Sequence, residues 1–220
     1  MIELISFMLL ALVLGFKHSH DSDHLIAVSN ILRKVDSVKS AAKIGFSWAI
    51  GHMATATIIT IIIFIFKESF LNNILPHFEK IVGAMLIILG LISLKEIFSF
   101  HSHEHKHGGL VHSHPHIHIK NNKNIHSHAH MFGIGIIHGL ASNDELLILF
   151  TASLAVTSLG GLLVGLGLFS LGVVLGMIFF AVVFSFPLIK LNSDKIYKII
   201  SFGTGAAGII YGTLMLFAIV

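Results

Sequence analysis

Apolar residues run along this chain in long blocks, broken by a few short polar stretches. Six blocks read as membrane spans: residues 2–32, 41–66, 78–98, 131–154, 161–186 and 195–220. A spanning helix needs about 20 predominantly apolar residues, and the pattern predicts an all-α integral membrane protein with six transmembrane helices. The first block is unusual. Its apolar run from Leu4 ends at Phe16, too short to span. Lys17, His18, His20, Asp21, Asp23 and His24 follow before apolar residues resume at Leu25. Facing lipid, Lys17, Asp21 and Asp23 would each cost roughly 3 kcal/mol, against about 0.3–0.6 kcal/mol returned by each apolar residue. These groups are therefore expected to face protein or water, and ionisable groups held there are functional candidates.

The blocks also repeat. GAMLIILG at residues 83–90 resembles GAAGIIYG at residues 205–212, and Phe46-Ser47 recurs at Phe169-Ser170. GFKHSHDSDHL in the first block aligns loosely with GIIHGLASNDEL in the fourth, which sets His18 on His138. The offsets are similar and predict two three-helix halves, residues 1–99 and 131–220. Three spans per half invert the second half in the membrane, a secondary-transporter arrangement with the substrate site between the halves.

Composition sharpens the class. The chain is 55% hydrophobic and 11% charged, with a mean hydropathy of +0.89, far from a soluble domain. It has no cysteine, which excludes disulfides and thiolate sites for Cu(I) or zinc. The net charge of +3 does not point to nucleic acid, because the lysines sit at block ends and Arg33 is the one arginine. Those cations fix an orientation. Arg33, Lys34, Lys39 and Lys43 follow the first block. Lys95, Lys106, Lys120 and Lys123 follow the third, and Lys190, Lys195 and Lys198 the fifth. The opposite side holds only Lys67 and Lys80. The positive-inside rule then puts both termini outside the cytoplasm of a cell-membrane protein. The opening MIEL lacks a basic region and reads as part of a retained helix.

Between the halves, residues 100–130 form a different kind of segment. It carries His101, His103, His105, His107, His112, His114, His116, His118, His126, His128 and His130. It has too little apolar surface for a core and is expected to be mobile and cytoplasmic. Histidine-rich tracts read as metal-binding by composition. The expected role is to buffer or deliver metal, outside the transport path itself.

Imidazole suits zinc, copper, nickel and cobalt, and carboxylate adds charge. On a regular helix His20, Asp21 and His24 fall within an arc of about 100°, with Lys17 among them. His18 and Asp23 then point elsewhere. Either the helix unwinds or bends, or His18 and Asp23 orient the ligating imidazoles. Two further groups lie inside apolar blocks: His52, after Gly51, and His138, which shares a helix face with Ser142 and Glu145 and is flanked by Asn143 and Asp144.

KHSHDSDH at residues 17–24 resembles the signature of the nickel/cobalt transporter family, matched at Lys17, His18, Asp21, Asp23 and His24. FSWAIGHMAT at residues 46–55 is similar to the family's second signature, with Gly51-His52 in the matching place. Together the two cover about a third of the chain. FGIG at residues 132–135 looks like the lead-in to a third signature, but IIHGLASNDEL departs from it and resembles the UreH-like urease-accessory group. The six-helix body with a His-rich loop is similar to the family's efflux branch, whereas the first motif leans toward uptake. The resemblance implies a secondary transporter of Ni²⁺ or Co²⁺, not an enzyme. It implies a metal-recognition role for His18, Asp23 and His24, to which the setting of His52 adds that residue. Lys17, His20, Asp21, His138, Asn143, Asp144 and Glu145 are expected as orienting or entrance groups. No organic cofactor and no nucleotide-binding motif is in view, so gradients or a partner must drive transport; the expected partners are metal ions and the bilayer. Nickel/cobalt efflux and zinc carriage are the alternatives within transport. A His-box membrane metalloenzyme or a metal sensor is the alternative class, and the sequence has no H-E-x-x-H.

Overall fold

A computed structural model describes residues 2–66, 75–98, 102–107, 110–115, 125–141, 159–191, 193–217 and 219. Its helices are α1 (Ile2–His18), α2 (Ser22–Leu32), α3 (Val38–Phe66), α4 (Leu75–Phe98), α5 (Ile125–Ala141), α6 (Leu159–Leu191) and α7 (Asp194–Leu216). Among the described residues, three stretches are long and apolar enough to cross a membrane: Val38–Ile62, Leu163–Leu191 and Asp194–Leu216. Shorter apolar stretches, Ile5–His18 and His130–Leu140, lie in α1 and α5. Large apolar side chains stand exposed on these helices, among them Val13, Ile58, Ile88, Phe179 and Ile210. An apolar exterior of this kind suits lipid and not water, and the molecule is a helical membrane protein.

The first block, residues 2–32, is not one helix; of the two options left open by the sequence, the helix breaks. α1 stops at His18 and α2 starts at Ser22. The last turn tightens: the His20 amide donates to the Lys17 carbonyl at 2.9 Å and the Asp21 amide to the His18 carbonyl at 3.1 Å. These are three-residue closures, which end an α-helix. Asp21 is then extended, at φ −65° and ψ 149°, and the Leu25 amide donates to its carbonyl at 3.0 Å to open α2. Polar side chains compete for the backbone here: the Ser19 hydroxyl donates to the Phe16 carbonyl at 2.7 Å.

A difference from the all-α expectation lies in the His-rich segment. It holds an antiparallel hairpin of β1 (Ser102–His107) and β2 (Leu110–Pro115), so the fold is not purely helical. The register pairs His103 with His114 and His105 with His112. Alternating residues share one face of a strand, so the i, i+2 spacing of the histidines suits strand pairing as well as it suits a flexible chain.

The helices pack as α1 on α6, α3 on α5 and α6, and α4 on α7. Small residues allow close approach, as in other membrane helix pairs. A methyl group at Gly15 would overlap the Phe169 carbonyl, and one at Gly172 the Leu12 carbonyl. A methyl at Gly135 would overlap the Trp48 carbonyl, and one at Gly51 the Phe132 carbonyl. Gly83 faces Gly212, and Gly90 faces Gly205, across the α4–α7 contact. The apolar interior gathers Trp48, Met53, Met131, Phe169 and Met177 around the site described next.

At its far end α2 is tied down by polar contacts. The buried Arg33 donates through Nε to the Asn30 carbonyl at 2.7 Å and through one terminal nitrogen to Tyr197 Oη at 2.6 Å. Its other terminal nitrogen pairs with Glu96 Oε2 at 2.7 Å, and Lys34 pairs with Glu96 Oε1. The Asn30 amide adds a bond to the Thr204 carbonyl at 3.2 Å. These contacts join α2 to α4 and α7.

Candidate metal site

The break between α1 and α2 decides which histidines meet. It leaves His18 on the last turn of α1 and His24 in the first turn of α2, both turned inward against His52 of α3. Nε2 of His18 lies 3.2 Å from Nε2 of His52. Ring centroids are 4.8 Å apart for His18 and His24, 4.9 Å for His24 and His52, and 5.3 Å for His18 and His52. One nitrogen from each of the three lies within 4.8 Å of the others, and all three side chains are buried. Two imidazoles on one first-row dication, each about 2.1 Å from it, hold their nitrogens roughly 3.0–3.4 Å apart. The His18–His52 pair is already at that spacing.

Carboxylates stand behind two of the rings. Asp21 Oδ2 is 3.0 Å from His18 Nδ1, and Asp23 Oδ1 is 3.2 Å from His24 Nδ1. A carboxylate at Nδ1 holds the proton there and frees Nε2 as an electron-pair donor, the usual support for a metal-bound imidazole. Asp23 Oδ2 also lies 3.9 Å from Nε2 of the buried His138 on α5, whose ring is 5.3 Å from that of His24. Lys17 pairs with Asp21 at 3.4 Å from an exposed position.

The break also undoes the helical-wheel grouping. His20, expected beside His24 and Asp21, turns away: its Nδ1 faces the Phe16 carbonyl at 2.8 Å, and its ring packs among Phe16, Phe179 and Phe180. Asp23 sits behind His24 and outside the three-nitrogen set. His138, expected as an orienting or entrance group, lies inside against Asp23 and His24. Asn143, Asp144 and Glu145 fall outside the described residues, as do His101, His116 and His118. His103, His105, His107, His112 and His114 lie on the hairpin strands, His126 and His128 on the first turn of α5, and His130 is exposed further along that helix. Sequence reasoning missed Trp48. Its ring stacks on His52 at 4.8 Å and 14° and stands edge-on to His24 at 4.9 Å. The available signal was its position four residues before His52 on one helix.

Several known proteins resemble this chain. The urease accessory protein UreH of Bacillus sp. (strain TB-90) is 31% identical over 195 residues, which is 89% of this chain and 82% of UreH. The nickel transporter NixA of Staphylococcus aureus is 31% identical over 78 residues, 35% of this chain. The high-affinity nickel-transport protein NixA of Helicobacter pylori is 31% identical over 93 residues, 38% of this chain. The chain belongs to the nickel/cobalt transporter family, in its UreH-like group. The family model for the cytochrome C biogenesis protein transmembrane region also matches, over residues 25–214. That match begins after His24, so it covers the helical body and leaves the 17–24 motif outside. The two NixA matches span 23% and 28% of those transporters' lengths. None of these names describes an enzyme. No solved structure matches the chain.

Proposed function

We propose that the chain carries Ni²⁺, and Co²⁺ as a second cargo, across the cell membrane in the direction of uptake. The observation that carries this reading is the buried trio of His18, His24 and His52 at a helix break, backed by Asp21 and Asp23. The similarity to proteins named as nickel transporters supports the choice of metal. A bare dication is costly in a low-dielectric interior unless negative charge balances it. Asp21 and Asp23 supply two such charges without occupying the ion's own coordination positions. The imidazoles replace part of the hydration shell. The break lets one short segment present groups that a regular helix would scatter, as in other transporter sites.

Six helices in two inverted halves remain the architecture we favour. The close contacts come in mirrored pairs: Gly15 on Phe169 matches Gly135 on Trp48, and Gly172 on Leu12 matches Gly51 on Phe132. In ring contacts, His18 meets Phe169 at 5.5 Å and His138 meets Trp48 at 5.6 Å. Partners in each match are separated by nearly the same distance in sequence, which supports a two-fold relation between the halves. On this reading the cation-rich connections face the cytoplasm, and the His-rich segment there buffers or hands on metal through its loop histidines.

Radionickel accumulation in cells with and without the gene tests the reading. A rise supports uptake, and a fall supports the efflux alternative that the His-rich segment suggests. No change contradicts transport.

A further inference from the structure

We infer that Trp48 is a positioning residue of the metal site, stacking on His52 so that its Nε2 is aimed at the ion. This rests on reading His18, His24 and His52 as the ligands. A metal-bound imidazole is normally held by a partner on its other nitrogen, which fixes both ring plane and tautomer. His18 has Asp21 in that role, and His24 has Asp23. His52 has neither: its Nδ1 is buried and finds no hydrogen-bond partner among the described residues. The torsion that turns an imidazole about its own axis is broad and soft, so a hydrogen bond or packing must set it. Trp48, one helical turn earlier on α3, lies nearly parallel to the His52 ring at 14° and 4.8 Å.

The indole is itself boxed in. His24 stands against it edge-on at 87°, and His138 packs against it at 62° with centroids 5.6 Å apart. The backbone around Trp48 is fixed as well, because its carbonyl occupies the space over Gly135 of α5. Trp48 thus does by stacking what Asp21 and Asp23 do by standing at ion-pair distance from Nδ1 of the other two rings. His52 also lacks the carboxylate that strengthens the other two imidazoles as donors. Its bond to the ion therefore depends most on orientation. An indole face favours a ring carrying positive charge, so the stack tightens as the ion loads.

The test uses the full-length chain and two substitutions: Trp48→Phe keeps an aromatic face, and Trp48→Met fills similar space without one. Initial rates of radionickel uptake are measured against external Ni²⁺, with membrane levels of each variant matched by immunoblot. Trp48→Met should raise KM by 10–100-fold, the usual effect of losing a ligand's orienting partner, while Trp48→Phe stays within about threefold of wild type. An unchanged KM in Trp48→Met overturns the inference, and so does a Phe variant as impaired as the Met variant. Trp48 is the chain's one tryptophan, so a second measurement needs no variant. Paramagnetic Ni²⁺ bound beside the indole should quench its emission saturably, at concentrations near the uptake KM. Ions held by the His-rich segment are excluded as the source by repeating the titration on a chain with residues 101–128 deleted, which should quench equally. Absence of saturable quenching also overturns the inference, and it decides the matter should Trp48→Met fail to reach the membrane. Quenching without uptake would refute the transport reading and leave the placement of Trp48 standing.

Discussion

A histidine's role at this site follows from what stands behind its ring. His18 and His24 each have a carboxylate at Nδ1, and His20 has a backbone carbonyl and a phenylalanine pocket. His20→Ala should therefore leave Ni²⁺ uptake within about twofold of wild type, whereas Asp23→Asn should lower it 10–100-fold. The asparagine keeps the volume and can still accept from His24 Nδ1, so the loss would report the missing charge. Radionickel uptake at matched expression checks both; a severe His20→Ala would show that the ring swings into the site during transport. Residue type and spacing made His18, Asp23, His24 and His52 legible in the sequence. The wheel misgrouped His20 because it assumed a continuous helix, and one three-residue closure is enough to rotate every following side chain. Trp48 was not legible as a site residue because an aromatic in an apolar helix reads first as packing.

At the scale of elements, α2 is a short lever with the metal motif at one end and the Arg33 network at the other. Arg33 is buried, and Glu96 is its carboxylate partner. Glu96→Gln should lower stability by about 2 kcal/mol, less than the roughly 3–5 kcal/mol of a fully buried pair, because Glu96 retains some solvent contact. The denaturation midpoint of the purified protein measures it. The helix interfaces give a sharper contrast within four residues of α5. A methyl group at Gly135 would overlap the Trp48 carbonyl, whereas one at Gly133 meets nothing within 4 Å. Gly135→Ala should reduce the yield of monodisperse protein on size exclusion, and Gly133→Ala should not, having also a better helix former. Block positions foretold helices at residues 41–66, 78–98, 161–186 and 195–220, where α3, α4, α6 and α7 lie. They left the break between α1 and α2 as one of two options, because competition between Ser19, His20, Asp21 and the backbone is decided only by the packing around them.

For the whole molecule, lysine placement argues orientation and the mirrored helix contacts argue topology. With no native cysteine, Asn122→Cys gives a single labelling site. Its labelling should require permeabilised cells, and labelling of intact cells would overturn the cytoplasmic placement of the His-rich segment. Deleting residues 101–128 should change apparent affinity and leave flux, since those histidines are interchangeable where the buried trio is not. The hairpin in that segment was not foreseeable from a composition that reads as solvated chain. The central claim, that the ion crosses through the trio at the helix break, is tested most directly by radionickel uptake in cells expressing full-length wild type or His24→Ala at equal membrane levels. The account predicts accumulation above the vector control for wild type and accumulation at the control level for His24→Ala, although its His-rich segment is intact. His24→Ala cells accumulating nickel like wild type would contradict it.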